Sequence, residues 1–235
     1  MKTSFDISGF IDNRPLSAYQ LRILITCFIV MLLDGFDMQI IGLALPALAR
    51  DWGLSPKDFG LVLTAGPAGM VIGAAFLGPL ADRYGRKRPV IAAVIVFGLF
   101  TLLAAVTRTP AALAATRFIM GLGLGGVIPN IVALSAEYVP ERYRGTLSTL
   151  TYTGVPLGAL ASGLFGAWLI PSYGWQSVFY IGGLVPLTIA LYAIFTLPES
   201  IRFMAARSGQ SNEAASIIRK IAPDIQLPDA VQFTL

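Results

Sequence analysis

Apolar residues fall in six long runs along this chain, with short polar breaks between them. The runs cover roughly residues 21–49, 58–81, 89–106, 110–139, 145–170 and 176–197. Each is close to the ~20 residues that a helix needs to cross the hydrocarbon core of a bilayer. The breaks carry helix punctuation. Pro46 stands near the end of the first run, and Ser55-Pro56 is placed to start the second. Pro110 opens the fourth, Pro140 closes it, and Pro171 with Gly174 makes the turn before the sixth. The pattern predicts an all-α membrane protein of six transmembrane helices. Residues 1–20 read as a short tail, 21–197 as the helix bundle, and 198–235 as an amphipathic segment. In that last segment Asn212 is placed to cap a short helix that ends before Pro223 and puts Ile217, Ile218 and Ile221 on one side.

Composition supports the membrane class. Hydrophobic residues make up 55% of the 235 and charged residues 13%, about half the charged share of a typical soluble domain. The net charge of +4 does not point to nucleic acid, because its distribution is topological. With the N-terminus in the cytoplasm, 13 of the 17 Lys and Arg residues fall inside, among them Arg83, Arg86, Lys87, Arg88, Arg142 and Arg144. Only Arg50, Lys57 and Arg108 fall outside, and Arg117 lies within a span. The first run is longer than a signal-peptide core and is interrupted by acids. The expected location is a cell inner membrane, with both ends of the chain cytoplasmic.

The chemistry is concentrated in Asp34-Gly35-Phe36-Asp37, midway along the first run. Two acids three residues apart share one helix face, about 4.5 Å apart along the axis. Ionisable groups at that depth mark an ion or substrate pathway, so both acids are expected to face a wet interior. Gly35 between them is expected to loosen the helix and admit backbone carbonyls to the site. Arg117 is the matching cation. Counted from Pro110 it lies about 10 Å deep, and Asp37 counted back from Pro46 about 14 Å. Arg117 can therefore pair with Asp37, hold a substrate carboxylate, or extend to the outer interface. The chain has no histidine, so proton chemistry falls to carboxylates, and a Ser–His intramembrane protease is excluded. Cys27 is the only cysteine, which excludes an internal disulfide or a thiol metal site. No cofactor is expected; a proton gradient would supply the driving force.

Gly121-Leu122-Gly123-Leu124-Gly125-Gly126 matches a dinucleotide fingerprint by letters alone. It sits inside an apolar helix with no strand before it, so it reads as close helix packing. Glycines recur in the second and fifth runs, and buried charge in the first and fourth. That is a weak repeat of two three-helix units, which would be inverted because three is odd. Between runs two and three, Gly78 and Gly85 permit a tight turn around Asp82, Arg83, Arg86, Lys87 and Arg88. Asp82 among cations invites a breakable salt-bridge network, which Glu137 and Arg144 could join across the next loop.

That Gly-x-x-x-Asp-Arg-x-Gly-Arg-Lys stretch resembles the signature loop of the major facilitator superfamily. Glu137 with Arg144, and Pro198-Glu199-Ser200-Ile201-Arg202, are similar to further patterns of that superfamily. Asp34-Gly35-Phe36-Asp37 resembles the narrower aromatic acid:proton symporter family. The resemblance implies the N-terminal six-span half of a carrier that takes up small aromatic carboxylates, such as 4-hydroxybenzoate or protocatechuate, with protons. It implies coupling or substrate roles for Asp34, Asp37 and Arg117. It also implies a cytoplasmic latch from Asp82, Arg83 and Arg86, and a charged position at Glu137. In span five, Gly154-Val155-Pro156-Leu157-Gly158 lacks the Gly-Pro pair of antiporters, which leans toward symport. A second six-span half, or another copy of the chain, is the implied partner. Another organic acid, a sugar or nicotinate as cargo, or a non-transporting six-span subunit, are the alternative readings.

Overall fold

The computed structural model describes residues 3–205, 211–225 and 231–234. Lys2 and Arg207, two of the basic positions counted above, lie outside these. A short strand β1 (Thr3–Asp6) and helix α1 (Ile7–Asp12) precede the bundle. The spans follow as α2 (Ala18–Trp52); a 3-10 turn Pro56–Phe59 continued by α3 (Gly60–Tyr84); α4 (Lys87–Ala105); α5 (Pro110–Leu124) with α6 (Val127–Glu137); α7 (Glu141–Tyr152) with α8 (Gly154–Tyr173); and α9 (Gln176–Thr196). Among the described residues, six stretches are long and apolar enough to cross a membrane. Beyond them lie α10 (Ile201–Ala205), α11 (Ser211–Ile221) and a strand β2 (Val231–Thr234), which pairs in parallel with β1.

Local sequence sets these limits. Ser17 and Gln20 form a reciprocal cap at the start of α2: the Gln20 amide N–H donates to Ser17 Oγ at 3.3 Å, and the Ser17 N–H to Gln20 Oε1 at 2.8 Å. Gly53, at φ 65°, ends the helix in the left-handed region. Pro46 does not end it. A proline removes one intrahelical bond, which neighbouring helices make tolerable, and α2 runs six residues further, to Trp52. Prolines act instead on spans four and five. Pro129 cannot donate to the Gly125 carbonyl, nor Pro156 to that of Tyr152, and both spans break there into two helices. Asn212 lies inside α11 rather than before it; residues 206–210, where a cap would sit, are outside the described residues.

The spans pack in three pairs: α2 on α8, α3 on α5, and α4 on α9. Exchanging spans one to three for four to six maps the first two pairs onto each other and the third onto itself, as an inverted repeat requires. Backbone contact makes the pairs close. A Cβ on Gly35 would meet the Val155 carbonyl of α8, and one on Gly158 the Leu32 carbonyl of α2. On the equivalent pair, Gly121 and Gly125 of α5 and its C-terminal junction lie against the Gly66 and Met70 carbonyls of α3. The glycine run of span four therefore serves helix packing.

Two apolar cores result. One lies around Ile40, Leu48, Phe59, Leu113 and Phe179. The other lies around Ile23, Met31, Phe97, Ile131 and Tyr138, and it takes in Ile217, Ile218 and Ile221 of α11. The amphipathic segment is thus docked on the bundle through the three isoleucines. Large apolar residues stay exposed on the outside, Val71 and Phe76 of α3 and Phe195 of α9 among them, as a surface that meets lipid or another helix bundle allows.

Candidate functional site

Asp34 and Asp37 lie on the inner side of α2, in a run from Leu33 to Asp37 that is buried throughout. Arg117 reaches them from α5. Its Nη1 stands 2.9 Å from Asp37 Oδ1, and both side chains are over nine-tenths buried. The geometry selects pairing with Asp37 from the three options the sequence left open for Arg117. Gly66 of α3 lies beside the guanidinium, where a Cβ would make only an ordinary contact, 3.7 Å from Nε. Charges this deep are tolerated when paired and hydrogen-bonded.

Asp34 differs. It is fully buried, and neither carboxylate oxygen has a hydrogen-bond partner among the described residues. An isolated buried charge is costly. The site holds one acid tied to a cation and one without a hydrogen-bond partner among the described residues, a helical turn apart. The expectation that both acids face a wet interior is not met in this conformation. Both acids are enclosed within the bundle, Asp34 fully and Asp37 at 6% exposure. Nor does Gly35 open the helix, because α2 is continuous through it; its missing side chain is used for contact with Val155.

The second charged cluster lies at the loop end of the bundle. Arg86 Nη1 is 3.2 Å from Glu137 Oε1. Glu199 Oε1 accepts from the backbone N–H groups of Arg86 at 2.6 Å, Lys87 at 3.1 Å and Ser200 at 2.8 Å. Its carboxylate thus occupies the N-terminus of α4, where unpaired N–H groups and the helix dipole favour an anion. Glu137 Oε2 accepts from Ser200 Oγ at 2.6 Å. The Tyr138 hydroxyl donates to the Glu199 carbonyl at 2.6 Å, and Gln20 Nε2 to the Tyr138 carbonyl at 2.7 Å. The loops after spans two, four and six are tied into one knot.

This knot differs from the one expected. Asp82 is exposed and has no part in it; the acid at the basic loop is Glu199. Arg83 lies over the Tyr84 ring at 5.5 Å. Arg144 pairs with Asp12 of α1, at 3.9 Å, rather than with Asp82 or Glu137. Gly78 lies within α3, where a Cβ would meet nothing within 4 Å, so the turn depends on Gly85 alone. Gly85 has φ 90°, and a Cβ there would strike the Glu199 carboxylate. Lys87 contributes its backbone N–H, and Arg88 stays exposed. Glu199 was visible in the sequence beside Pro198, but no spacing rule ties it to a loop 112 residues earlier.

The chain is 44% identical to the gallate transporter of Pseudomonas putida over 92% of its own length and 48% of that protein's. It is 44% identical to the 4-hydroxybenzoate transporter PcaK of Pseudomonas aeruginosa, over 93% of its length and 49% of that protein's. The chain thus spans about half the length of the curated relatives it matches. Among solved structures, the proton:xylose symporter XylE superposes with a TM-score of 0.77 at 22% identity, over 88% of this chain and 50% of that one; at that identity the likeness speaks for the fold alone. Residues 27–223, from within α2 to just beyond α11, match the Major Facilitator Superfamily, and the chain belongs to that family of transporters.

Proposed function

We propose that this chain forms the first six-span half of a proton-coupled symporter that takes up small aromatic carboxylates such as 4-hydroxybenzoate or protocatechuate. The observation that carries the reading is the buried triad: Arg117 held by Asp37 at 2.9 Å, with Asp34 partnerless a turn away. The aromatic-acid relatives supply the substrate class.

The chemistry follows from charge balance. Arg117 can exchange Asp37 for the carboxylate of an incoming substrate, because a guanidinium fork accepts either. Asp37, once released, would be a second unpaired buried acid, which protonation of the Asp34/Asp37 pair relieves. Substrate and proton then travel as a neutralised set, and the helices can rock around the site in alternating access. The Arg86–Glu137–Glu199 knot, on the cytoplasmic side in the orientation that the basic loops favour, would serve as the latch that each cycle breaks and re-forms. The membrane is a cell inner membrane.

Uptake of labelled 4-hydroxybenzoate by cells expressing the complete gene product tests the reading. Uptake should be abolished by an uncoupler and competed by unlabelled protocatechuate, but not by xylose. Uncoupler-resistant accumulation, or competition by the sugar in place of the acid, overturns it.

A further inference from the structure

A cavity of about 690 Å³ at the loop end of the bundle borders the loop knot through Lys87 and Glu199 but is separate from the buried triad. It opens between the start of α4, the end of α9 and the docked helix α11. Its rim is cationic, with Lys87 and Arg88 from α4 and Lys220 from α11. Two acids, Glu199 and Glu213, also line it, so the three cations exceed the acids by one.

The floor is apolar. Ile91 and Ile95 lie about 6 Å and 12 Å further along α4 than Lys87, and Phe195 of α9, 80% exposed, faces the same opening. The furrow continues down the outside of the bundle. Leu99 and Leu103 extend the Ile91–Ile95 ridge of α4 at four-residue steps, and Leu191 lies one turn from Phe195 on α9; all three are about half exposed. Between the ridges, α4 and α9 touch through Gly98 and Gly183, so the furrow has a closed floor. A cationic rim above an apolar furrow, at the end of two membrane-crossing helices, matches the amphipathic profile of a phospholipid with a net negative headgroup.

We propose that this groove is a binding site for an anionic glycerophospholipid. The phosphate lies among Lys87, Arg88 and Lys220, and an acyl chain lies along the α4–α9 furrow. The lipid would bridge α11 to α4 by giving Lys220 and the two α4 cations a shared counter-charge. The groove is separate from the Asp34/Asp37/Arg117 site, so it stands whether or not the transported substrate is an aromatic acid.

Native mass spectrometry of the detergent-solubilised protein tests the site, with phosphatidylglycerol or phosphatidylcholine of matched acyl chains added. One phosphatidylglycerol should be retained in preference to phosphatidylcholine. The double substitution Arg88→Gln/Lys220→Gln should weaken that adduct at least about tenfold, while Arg142→Gln, on the same side but outside the groove, should leave it unchanged. An unchanged elution volume on size exclusion establishes that the double variant is folded. Equal retention of the two lipids, or undiminished phosphatidylglycerol binding by the folded double variant, overturns the proposal. Displacement of the lipid by excess glycerol phosphate overturns it too, because the groove would then be a site for a free phosphate.

Discussion

Removing Arg117 isolates what the buried triad does. In Arg117→Gln the guanidinium is gone, and Asp37, over nine-tenths buried, loses the ion-pair partner it has among the described residues. At 2.9 Å and an effective dielectric constant of about 20, the gross attraction is about 6 kcal/mol. Desolvation of the two groups cancels much of that, so the intact pair adds little net stability. Breaking it is different, because the orphaned acid stays in the bundle, at about 3–5 kcal/mol. Asp37→Asn orphans the cation and should cost a similar amount. The double substitution Asp37→Asn/Arg117→Gln leaves two neutral amides in contact and should be far less destabilised than the sum of the singles. The assay is a double-mutant cycle on thermal unfolding in detergent, run beside uptake of labelled 4-hydroxybenzoate. The expected coupling is at least about 2 kcal/mol, with transport absent in all three variants because neither a substrate clamp nor a proton site remains. Additive effects within about 0.5 kcal/mol, or transport restored by the double variant, would refute the reasoning.

Three further outcomes follow from the packing and the loop knot. Gly35→Leu forces a side chain against the Val155 carbonyl of α8, so it should cost at least about 3 kcal/mol, the upper end of overpacking penalties, read as lost folded yield on size exclusion, whereas Gly78→Ala, which meets nothing, should be neutral or stabilising. Glu199→Gln removes the charge at the α4 N-terminus and should lower unfolding stability by about 1–2 kcal/mol, while Asp82→Asn, exposed and outside the knot, should shift it by less than about 0.5 kcal/mol; the reverse order would return Asp82 to the network. Burial pushes the Tyr138 phenol well above its ordinary range. Because the unfolded chain releases that proton first, this contribution to stability is intact below about pH 10 and fades as pH rises beyond it. Tyr138→Phe should therefore flatten the alkaline end of the stability–pH curve, and an unchanged curve would count against the buried hydroxyl.

The spans, the matching depth of Arg117 and Asp37, and the packing role of the glycine run were legible in the sequence, because each depends on hydropathy, depth or small-residue spacing within one helix; which of three options Arg117 takes was not. Depth estimates from Pro46 and Pro110 brought Asp37 and Arg117 together although α2 passes Pro46 without stopping; a helix keeps its rise through a tolerated proline. What stayed hidden depends on contacts between distant elements. The pairing of Arg144 with Asp12 joins span five to the tail, and the seat of Glu199 on α4 joins the end of span six to the loop after span two. No local period reports either one. The role of Gly35 misled for a related reason: the chain shows where a side chain is missing, and only the neighbouring helix shows whether the gap serves a bend or a contact.

The most direct test of proton coupling through the buried acids is the external pH of a lightly buffered suspension of de-energised cells when 4-hydroxybenzoate is added. Cells expressing the gene product should alkalinise the medium as substrate enters, and cells expressing Asp34→Asn should not. Substrate entry without alkalinisation, or an undiminished proton signal in Asp34→Asn, would contradict a coupling role for the partnerless carboxylate.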